Sequence, residues 1–150
     1  MDVVVQIRKI SPRGEMLEQL NYPCPVPVDE VPDVNVAKTL GPQGFLRASH
    51  AVTLVPGTSK TEVFYTHDRR EPVKPGTVVR LEITLWPMGM VFAEGEGIVL
   101  RVSGHDMSHP EVELIRITEA VDENVGTHVI HTGGQYDSQL IVPVIPPKKE

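Results

Sequence analysis

The chain has 150 residues, of which 40% are hydrophobic and 23% are charged, with 12 glycines and 14 prolines. This composition is typical of a globular domain and excludes a disordered chain, a collagen and a coiled coil. The net charge of −6 at pH 7 argues against nucleic acid or an anionic membrane surface as the main partner, because both are negatively charged.

Two features of the sequence predict the cellular compartment of the protein. The single cysteine, Cys24, excludes an intramolecular disulfide and is compatible with a reducing compartment. Residues Met1 to Gln6 lack the basic region and the long apolar stretch of a signal peptide. We therefore predict a cytoplasmic location.

The residue types favour strands over helices, because apolar residues recur at every second position in several runs. The clearest run, Val78 to Trp86, places alternate apolar residues on one side. Ile98 to Ser103 alternates in the same way, so we expect one face of this strand to be buried. The predicted strands, in chain order, are Asp2–Ile10, Met16–Leu20, Gly44–Ala48, Val78–Trp86, Ile98–Ser103, Gly126–His131 and Gln139–Ile145.

Two segments interrupt this pattern. Tyr22 to Pro42 is rich in proline, which removes backbone donors, and Asp106 to Glu123 is rich in acidic residues. We predict that both are long irregular excursions over the surface. Short strands at turn-marked intervals indicate an all-β fold, an antiparallel sandwich or barrel. We predict one β-sandwich domain over residues 1–145 and a solvated tail over 146–150.

The sequence has no motif for nucleophilic or metal-dependent catalysis. None of its serines has the flanking glycines of a nucleophile elbow. His105 and His109 form one close pair in the sequence, and His128 and His131 form another. A zinc site needs three or four convergent ligands. We therefore predict no metal and no cofactor.

Two features are candidates for binding. The densest charged segment, Thr66 to Glu71, is interpreted first as a solvated loop, since exposed ion pairs contribute little. The alternative is that His67, Asp68 and Arg69 contact a partner domain or a ligand. Trp86, the only tryptophan, is interpreted first as a core residue and second as a platform for a ligand.

Several segments follow one another in an order that resembles a known family. They are Gly44–His50, Thr66–Pro72, Lys74–Ile83, Leu85–Pro87, Ile98–His105 and His128–Ile145. Over nearly its whole length the chain resembles the C-terminal β domain of the X-Pro dipeptidyl-peptidase and cocaine-esterase family of serine hydrolases, and it is most similar to the fungal members.

The resemblance implies a jelly-roll sandwich of galactose-binding-like type. In that family the domain packs on an α/β-hydrolase domain, which carries the Ser-His-Asp triad and hydrolyses esters and amides. The resemblance therefore assigns no catalytic residue to this chain. It also implies that the family domain has strands upstream of Met1, so we expect exposed strand edges that could pair with a second copy.

These observations support an accessory domain without a catalytic triad of its own. We expect it to dock on an α/β-hydrolase domain or to bind a small molecule, with Asp68, Arg69 and Trp86 as the binding residues. No nucleic acid or membrane is expected as a partner.

Two other functions remain open. The chain could be a small stand-alone enzyme of fungal secondary metabolism, with His50, His67 or His105 as acid–base groups near neutral pH. It could also be a carbohydrate-binding module, although three tyrosines and one tryptophan offer few stacking platforms.

Overall fold

The structure, a computed structural model, describes residues 1–18, 25–32, 38, 41–107 and 123–146. Its regular elements are strands and two short 3-10 turns. The strands are β1 (Asp2–Ile10), β2 (Met16–Leu17), β3 (Gln43–Arg47) and β4 (Gly97–Ser103), and the turns are Val28–Glu30 and Ala48–His50. Within these ranges no helix has the length and apolar character that crossing a membrane requires.

β1 is the central strand of one antiparallel sheet. β3 pairs with its first half, from Asp2 to Gln6, and β2 pairs with Lys9 and Ile10 on the same edge. β4 pairs with the opposite edge of β1, from Val4 to Ile10. The predicted antiparallel all-β architecture is confirmed.

Both faces of β1 are buried. Val3, Val5 and Ile7 are 5–8% exposed on one face, where β-branched side chains pack well against neighbouring strands. On the other face Val4 is 4% exposed and Gln6 is fully buried. Gln6 Oε1 accepts a hydrogen bond from Arg101 Nη1 at 3.0 Å, so the guanidinium group of β4 lies against this second face.

Some of the predicted strands are present in the structure and others are not. Those that correspond to β1, β3 and β4 are confirmed, and the predicted Met16–Leu20 begins as β2. Val78–Trp86, Gly126–His131 and Gln139–Ile145 were predicted as strands, and this is wrong, because none of them joins the ladders of the sheet. Residues 22–24, 33–37 and 39–40 of the first predicted excursion, residues 108–122 of the second, and residues 147–150 of the predicted tail lie outside the described residues.

Side-chain hydrogen bonds replace ladder bonds around residues 82–84. The Thr84 hydroxyl donates to the carbonyl oxygen of Val63 at 2.7 Å and accepts from the amide of the same residue at 2.9 Å. The amide of Glu82 donates to the Tyr65 hydroxyl at 3.3 Å. Alternation of apolar residues predicts which side chains share a face, but it does not show whether the backbone groups bond to a strand or to a hydroxyl.

β4 differs from the expectation of one buried face. Its apolar residues Ile98, Leu100 and Val102 are 42–46% exposed, whereas Val99 and Arg101 on its other face are half-buried. The reason lies in the topology, because β4 pairs with β1 and no described strand lies beyond it.

A cluster of ionic groups closes one end of the sheet. Asp2 begins β1 and lies opposite Arg47, the last residue of β3. The two carboxylate oxygens of Asp2 accept from Arg47 Nε at 2.7 Å and from Arg47 Nη2 at 2.9 Å. Glu123 bonds to Arg47 and Arg70, and its amide donates to Asp2. Asn124 binds the backbone of Asp2.

The hydrogen bonds from Arg47 hold the pKa of Asp2 below its ordinary value, and the Glu123 amide acts in the same direction, whereas partial burial opposes them. A carboxyl group whose pKa is lower in the folded state stabilises the fold at pH values above its unfolded pKa, about 3.9. This stabilisation is lost as the pH falls through the lower pKa of the folded state.

We predict that Asp2→Asn lowers the free energy of unfolding at neutral pH by about 1.5–3 kcal/mol, the range for hydrogen bonds to charged groups. The difference from the wild type should shrink as the pH falls below about 3.9, because wild-type Asp2 then becomes protonated as well. Urea denaturation at a series of pH values measures both effects. The exposed Asp137 supplies the control, since Asp137→Asn should change stability by less than about 0.5 kcal/mol at any pH.

We also predict that Gly44→Ala pushes β3 away from the neighbouring segment, which contains Ile83 and Thr84. A Cβ at residue 44 would overlap the carbonyl oxygen of Thr84 and lie 2.9 Å from Ile83 Cγ2, so stability should fall by about 1–3 kcal/mol. At Gly89 a Cβ would meet no atom within 4 Å, and Gly89→Ala should leave stability unchanged or slightly raised. Equal melting temperatures for the two variants would contradict the close approach.

Candidate functional site

An aromatic pocket lies beside β3. It has a volume of about 320 Å³, and we use the name for the cavity and its lining. Its aromatic and ionisable residues come from β3 and from two loop segments, and they are Phe45, Phe64, Tyr65, His67, Glu82 and Trp86. Leu46, Val63, Ile83 and Thr84 complete the lining.

The sheet positions the first wall of the pocket. Phe45 alternates along β3 with the buried Leu46, so its ring lies on the opposite face and is 45% exposed. The amide of Trp86 donates to the carbonyl oxygen of Gln43 at 2.8 Å, which places the indole beside Phe45. The two ring centroids are 6.0 Å apart, with an angle of 50° between the planes, a tilted arrangement within the range of attractive aromatic pairs.

A hairpin-like segment forms the second wall. Leu54 and Tyr65 make an antiparallel bridge, and the amide of Val55 donates to the carbonyl oxygen of Phe64 at 2.8 Å. The hydroxyl of Tyr65 accepts from the amide of Glu82. Partial burial raises the pKa of Tyr65, so the phenol is protonated at neutral pH and can still donate a hydrogen bond.

His67 lies where this segment turns. Its φ of 53° is in the left-handed region, and no other described non-glycine residue has a positive φ. Its ring is 5.7 Å from that of His50 and 6.3 Å from that of Tyr65, both in edge-to-face geometry. The neighbouring Thr66 donates to Asp68 at 2.6 Å, and this hydrogen bond lowers the pKa of the Asp68 carboxyl group.

The structure brings together some of the predicted site residues. Trp86 and His67 line the same pocket, and His50 contacts His67. Asp68 and Arg69 follow His67 in an exposed loop, where Arg69 pairs with Glu71 at 3.3 Å. The first interpretation of Asp68 and Arg69 as solvated residues agrees with this exposure.

One sequence-based interpretation does not agree with the structure. Trp86 was first interpreted as a core residue, and this is wrong, since it is 59% exposed. His105, one of three alternative acid–base residues, lies beyond the end of β4 and bonds to Ser103. Of the three histidines, His50 and His67 contact each other, and an acid–base role for any of them stays a prediction.

Sequence reasoning missed four lining residues, Phe45, Phe64, Tyr65 and Glu82. A partial signal was present for Phe45, because it has the opposite phase to Leu46 in a predicted strand. Nothing in the sequence indicated that Phe64 and Trp86 line one cavity, because the segments that carry them are joined by a hydrogen bond between Thr84 and Val63.

A serine and a histidine lie close together where β4 ends. Ser103 and His105 form a serine–histidine pair at 3.1 Å, but the amide of His105 also donates to Ser103, as in a local turn. No described carboxylate orients the His105 ring. In the same ranges no three histidine, cysteine or acidic residues are grouped closely enough to hold a metal ion.

The chemistry of the aromatic pocket is mainly apolar. Its one carboxylate, Glu82, pairs with Arg80 at 2.9 Å, so much of its charge is balanced. A larger cavity of about 370 Å³ between Ala48 and Leu81 has charged residues and no aromatic ring in its lining. The aromatic pocket is therefore the described site best suited to receive an apolar side chain or a flat ring.

Comparison with family models identifies residues 1–141 as an X-Pro dipeptidyl-peptidase C-terminal non-catalytic domain. No curated protein and no solved structure matched the chain. The family match covers all the residues that line the aromatic pocket and all four strands of the sheet.

The exposure of Trp86 leads to a prediction about stability. We expect Trp86→Ala to lower the free energy of unfolding by less than about 1 kcal/mol, as for a surface position. Leu46→Ala, at a residue only 6% exposed, should lower it by about 2–5 kcal/mol. Chemical denaturation followed by circular dichroism compares the two, and an equally large loss for Trp86→Ala would mean that the indole belongs to the core.

Proposed function

This chain belongs to the family of X-Pro dipeptidyl-peptidase C-terminal non-catalytic domains, and on that premise we propose that it is an accessory β-domain that docks on an α/β-hydrolase catalytic domain. The docking surface in this proposal is the aromatic pocket. The carrying observation is that a domain of a non-catalytic family exposes its only tryptophan and two phenylalanines around one concavity.

The exposure of these rings favours a protein partner. Trp86, Phe64 and Phe45 are 59%, 56% and 45% exposed, although burying a side chain of this size contributes about 1.5–3 kcal/mol. Clustered exposed aromatic residues are typical of interaction surfaces, where tryptophan and tyrosine dominate the binding energy. A cavity of about 320 Å³ is large enough for one apolar side chain of the partner.

The charged loop beside the aromatic pocket, which contains Asp68 and Arg69, has a separate role in the proposed complex. Asp68 and Arg69 follow the pocket residue His67 and have exposed side chains. Exposed charges at the rim of an interface steer association and set orientation more than they add affinity. In the proposed complex Asp68 and Arg69 orient the partner domain, and the rings of the pocket supply most of the binding energy.

The proposal assigns hydrolysis to the partner. The serine–histidine pair of the described chain, Ser103 and His105, is a local turn with no described carboxylate on the ring. The purified chain should therefore not turn over p-nitrophenyl acetate or an X-Pro chromogenic substrate beyond the rate seen with denatured chain. The single cysteine, Cys24, favours a cytoplasmic site of action.

A second candidate is a small stand-alone enzyme of secondary metabolism. The observation in its favour is the contact between His50 and His67 beside the pocket, at 5.7 Å, since neutral histidines serve as acid–base groups near neutral pH. His50 does not line the aromatic pocket, so His50→Gln would abolish such an activity and leave docking intact, and the two functions are separable.

We predict that the chain binds the purified catalytic domain of an X-Pro dipeptidyl-peptidase from the same genome, as measured by isothermal titration calorimetry. Trp86→Ala and Phe64→Ala should each weaken this binding by about tenfold or more, the effect of losing an interface residue worth about 1.4 kcal/mol or more.

Phe92→Ala is the matched control. Phe92 is also an exposed aromatic residue, at 37%, but it contacts Lys9 and does not line the pocket. Unchanged affinity in the two pocket variants, or no binding by the wild type, would contradict docking through the pocket. Hydrolysis by the chain alone that a serine-directed inhibitor abolishes would contradict the accessory role itself.

A further inference from the structure

The two walls of the aromatic pocket belong to segments that are distant in the chain. Phe45 and Trp86 form the first wall, and Phe64 and Tyr65 belong to the second. The first wall is fixed by the amide of Trp86, which donates to the carbonyl oxygen of Gln43 at 2.8 Å. The shape of the cavity then depends on the groups that hold the second wall against the first.

Thr84 contacts both walls. A Cβ on Gly44 would overlap the carbonyl oxygen of Thr84, so the backbone of Thr84 lies directly against β3. The hydroxyl of Thr84 donates to the carbonyl oxygen of Val63 at 2.7 Å and accepts from the amide of Val63 at 2.9 Å. Because Val63 directly precedes Phe64, these two hydrogen bonds fix the point at which the aromatic part of the second wall begins.

A second link between the walls is longer. It joins the amide of Glu82 to the hydroxyl of Tyr65 at 3.3 Å, beyond the usual range of about 2.7–3.2 Å for an N–H···O bond. Thr84, in contrast, bonds to both backbone groups of Val63 in a partly buried position. Backbone groups that lose their partners away from water are costly, so without the hydroxyl of Thr84 we expect residue 63 to move toward solvent.

We infer that Thr84 is the positioning residue of the aromatic pocket, whose hydroxyl holds the second wall against the first in the geometry that the partner domain binds. This inference rests on the docking function proposed above. A pocket that already has its bound shape costs less free energy to occupy, because no segment must be ordered on binding. Thr84 acts in this way through Phe64 and Tyr65.

Thr84→Val separates this role from that of an ordinary lining residue. Valine has nearly the shape of threonine but no hydroxyl, so both hydrogen bonds to Val63 are lost. If Thr84 only lined the pocket, a more apolar side chain would leave docking unchanged or strengthen it. As a change at a positioning residue, Thr84→Val should weaken docking by about five- to tenfold, because the second wall must be re-formed on binding.

Isothermal titration calorimetry against the purified catalytic domain of an X-Pro dipeptidyl-peptidase from the same genome measures this effect. Thr84→Ser keeps the hydroxyl and should bind within about twofold of the wild type. Thr84→Ala removes the hydroxyl without adding a methyl group and should weaken docking like Thr84→Val. Ile7→Val, at a buried residue that does not line the pocket, also lowers stability and should leave docking unchanged.

Trp86 reports on the pocket without the partner. It is the only tryptophan of the chain, so tryptophan fluorescence comes from the first wall alone. Acrylamide should quench this fluorescence more strongly in Thr84→Val and Thr84→Ala than in the wild type, because movement of the second wall opens the cavity. Quenching in Thr84→Ser and Ile7→Val should equal that of the wild type.

The two measurements distinguish this inference from the docking proposal. A wild type that does not bind the catalytic domain would contradict docking, while the quenching results would still test the role of Thr84. Equal quenching in all variants would overturn the positioning role whether or not the chain docks.

Three further results would also overturn the positioning role. The first is a Thr84→Val variant that binds as tightly as the wild type, and the second is a Thr84→Ser variant that loses as much affinity as Thr84→Val. The third is unfolding of both Thr84→Val and Thr84→Ala, measured by circular dichroism, while Ile7→Val stays folded, since the hydroxyl would then serve the fold as a whole.

Discussion

The pairing of β1 on both of its edges is the constraint on which the rest of the structure depends. One strand with five consecutive buried residues, Val3 to Ile7, holds β3 on one side and β4 on the other. Because β1 is central, everything attached to β3 lies at one edge of the sheet and everything attached to β4 lies at the other. The aromatic pocket, on the β3 side, is separated from β4 for this reason.

Polar side chains join the strands at one end of the sheet and within it. Asp2 and Arg47 close the sheet where β1 begins and β3 ends, and the segment at Glu123 and Asn124 is tied to the same corner. Within the sheet, the buried Gln6 accepts a hydrogen bond from Arg101. These contacts join strands that are distant in the chain, so they stabilise the topology more than any single element.

Large apolar side chains are exposed in several parts of the described chain, and two of these parts belong to the sheet and its border. Exposed rings of Phe45, Phe64 and Trp86 surround a cavity on the β3 side, and exposed aliphatic side chains line the edge of β4. Such exposure lowers stability in water unless a partner covers it. The chain belongs to a family of non-catalytic domains.

The sequence alone determined the all-β class, the bounds of β1 and the positions of β3 and β4, because apolar residues that recur at every second position are typical of strands. It also identified the family through motifs such as Leu85-Trp86-Pro87. It could not place Trp86, which was interpreted first as a core residue, and it did not predict that His50 lies beside His67. Those outcomes depend on contacts between distant segments, such as Thr84 with Val63 and Trp86 with Gln43. Only the tertiary structure decided these two outcomes. The periodicity of apolar residues predicts which side chains of one strand share a face, but it does not predict which segment lies beside that strand.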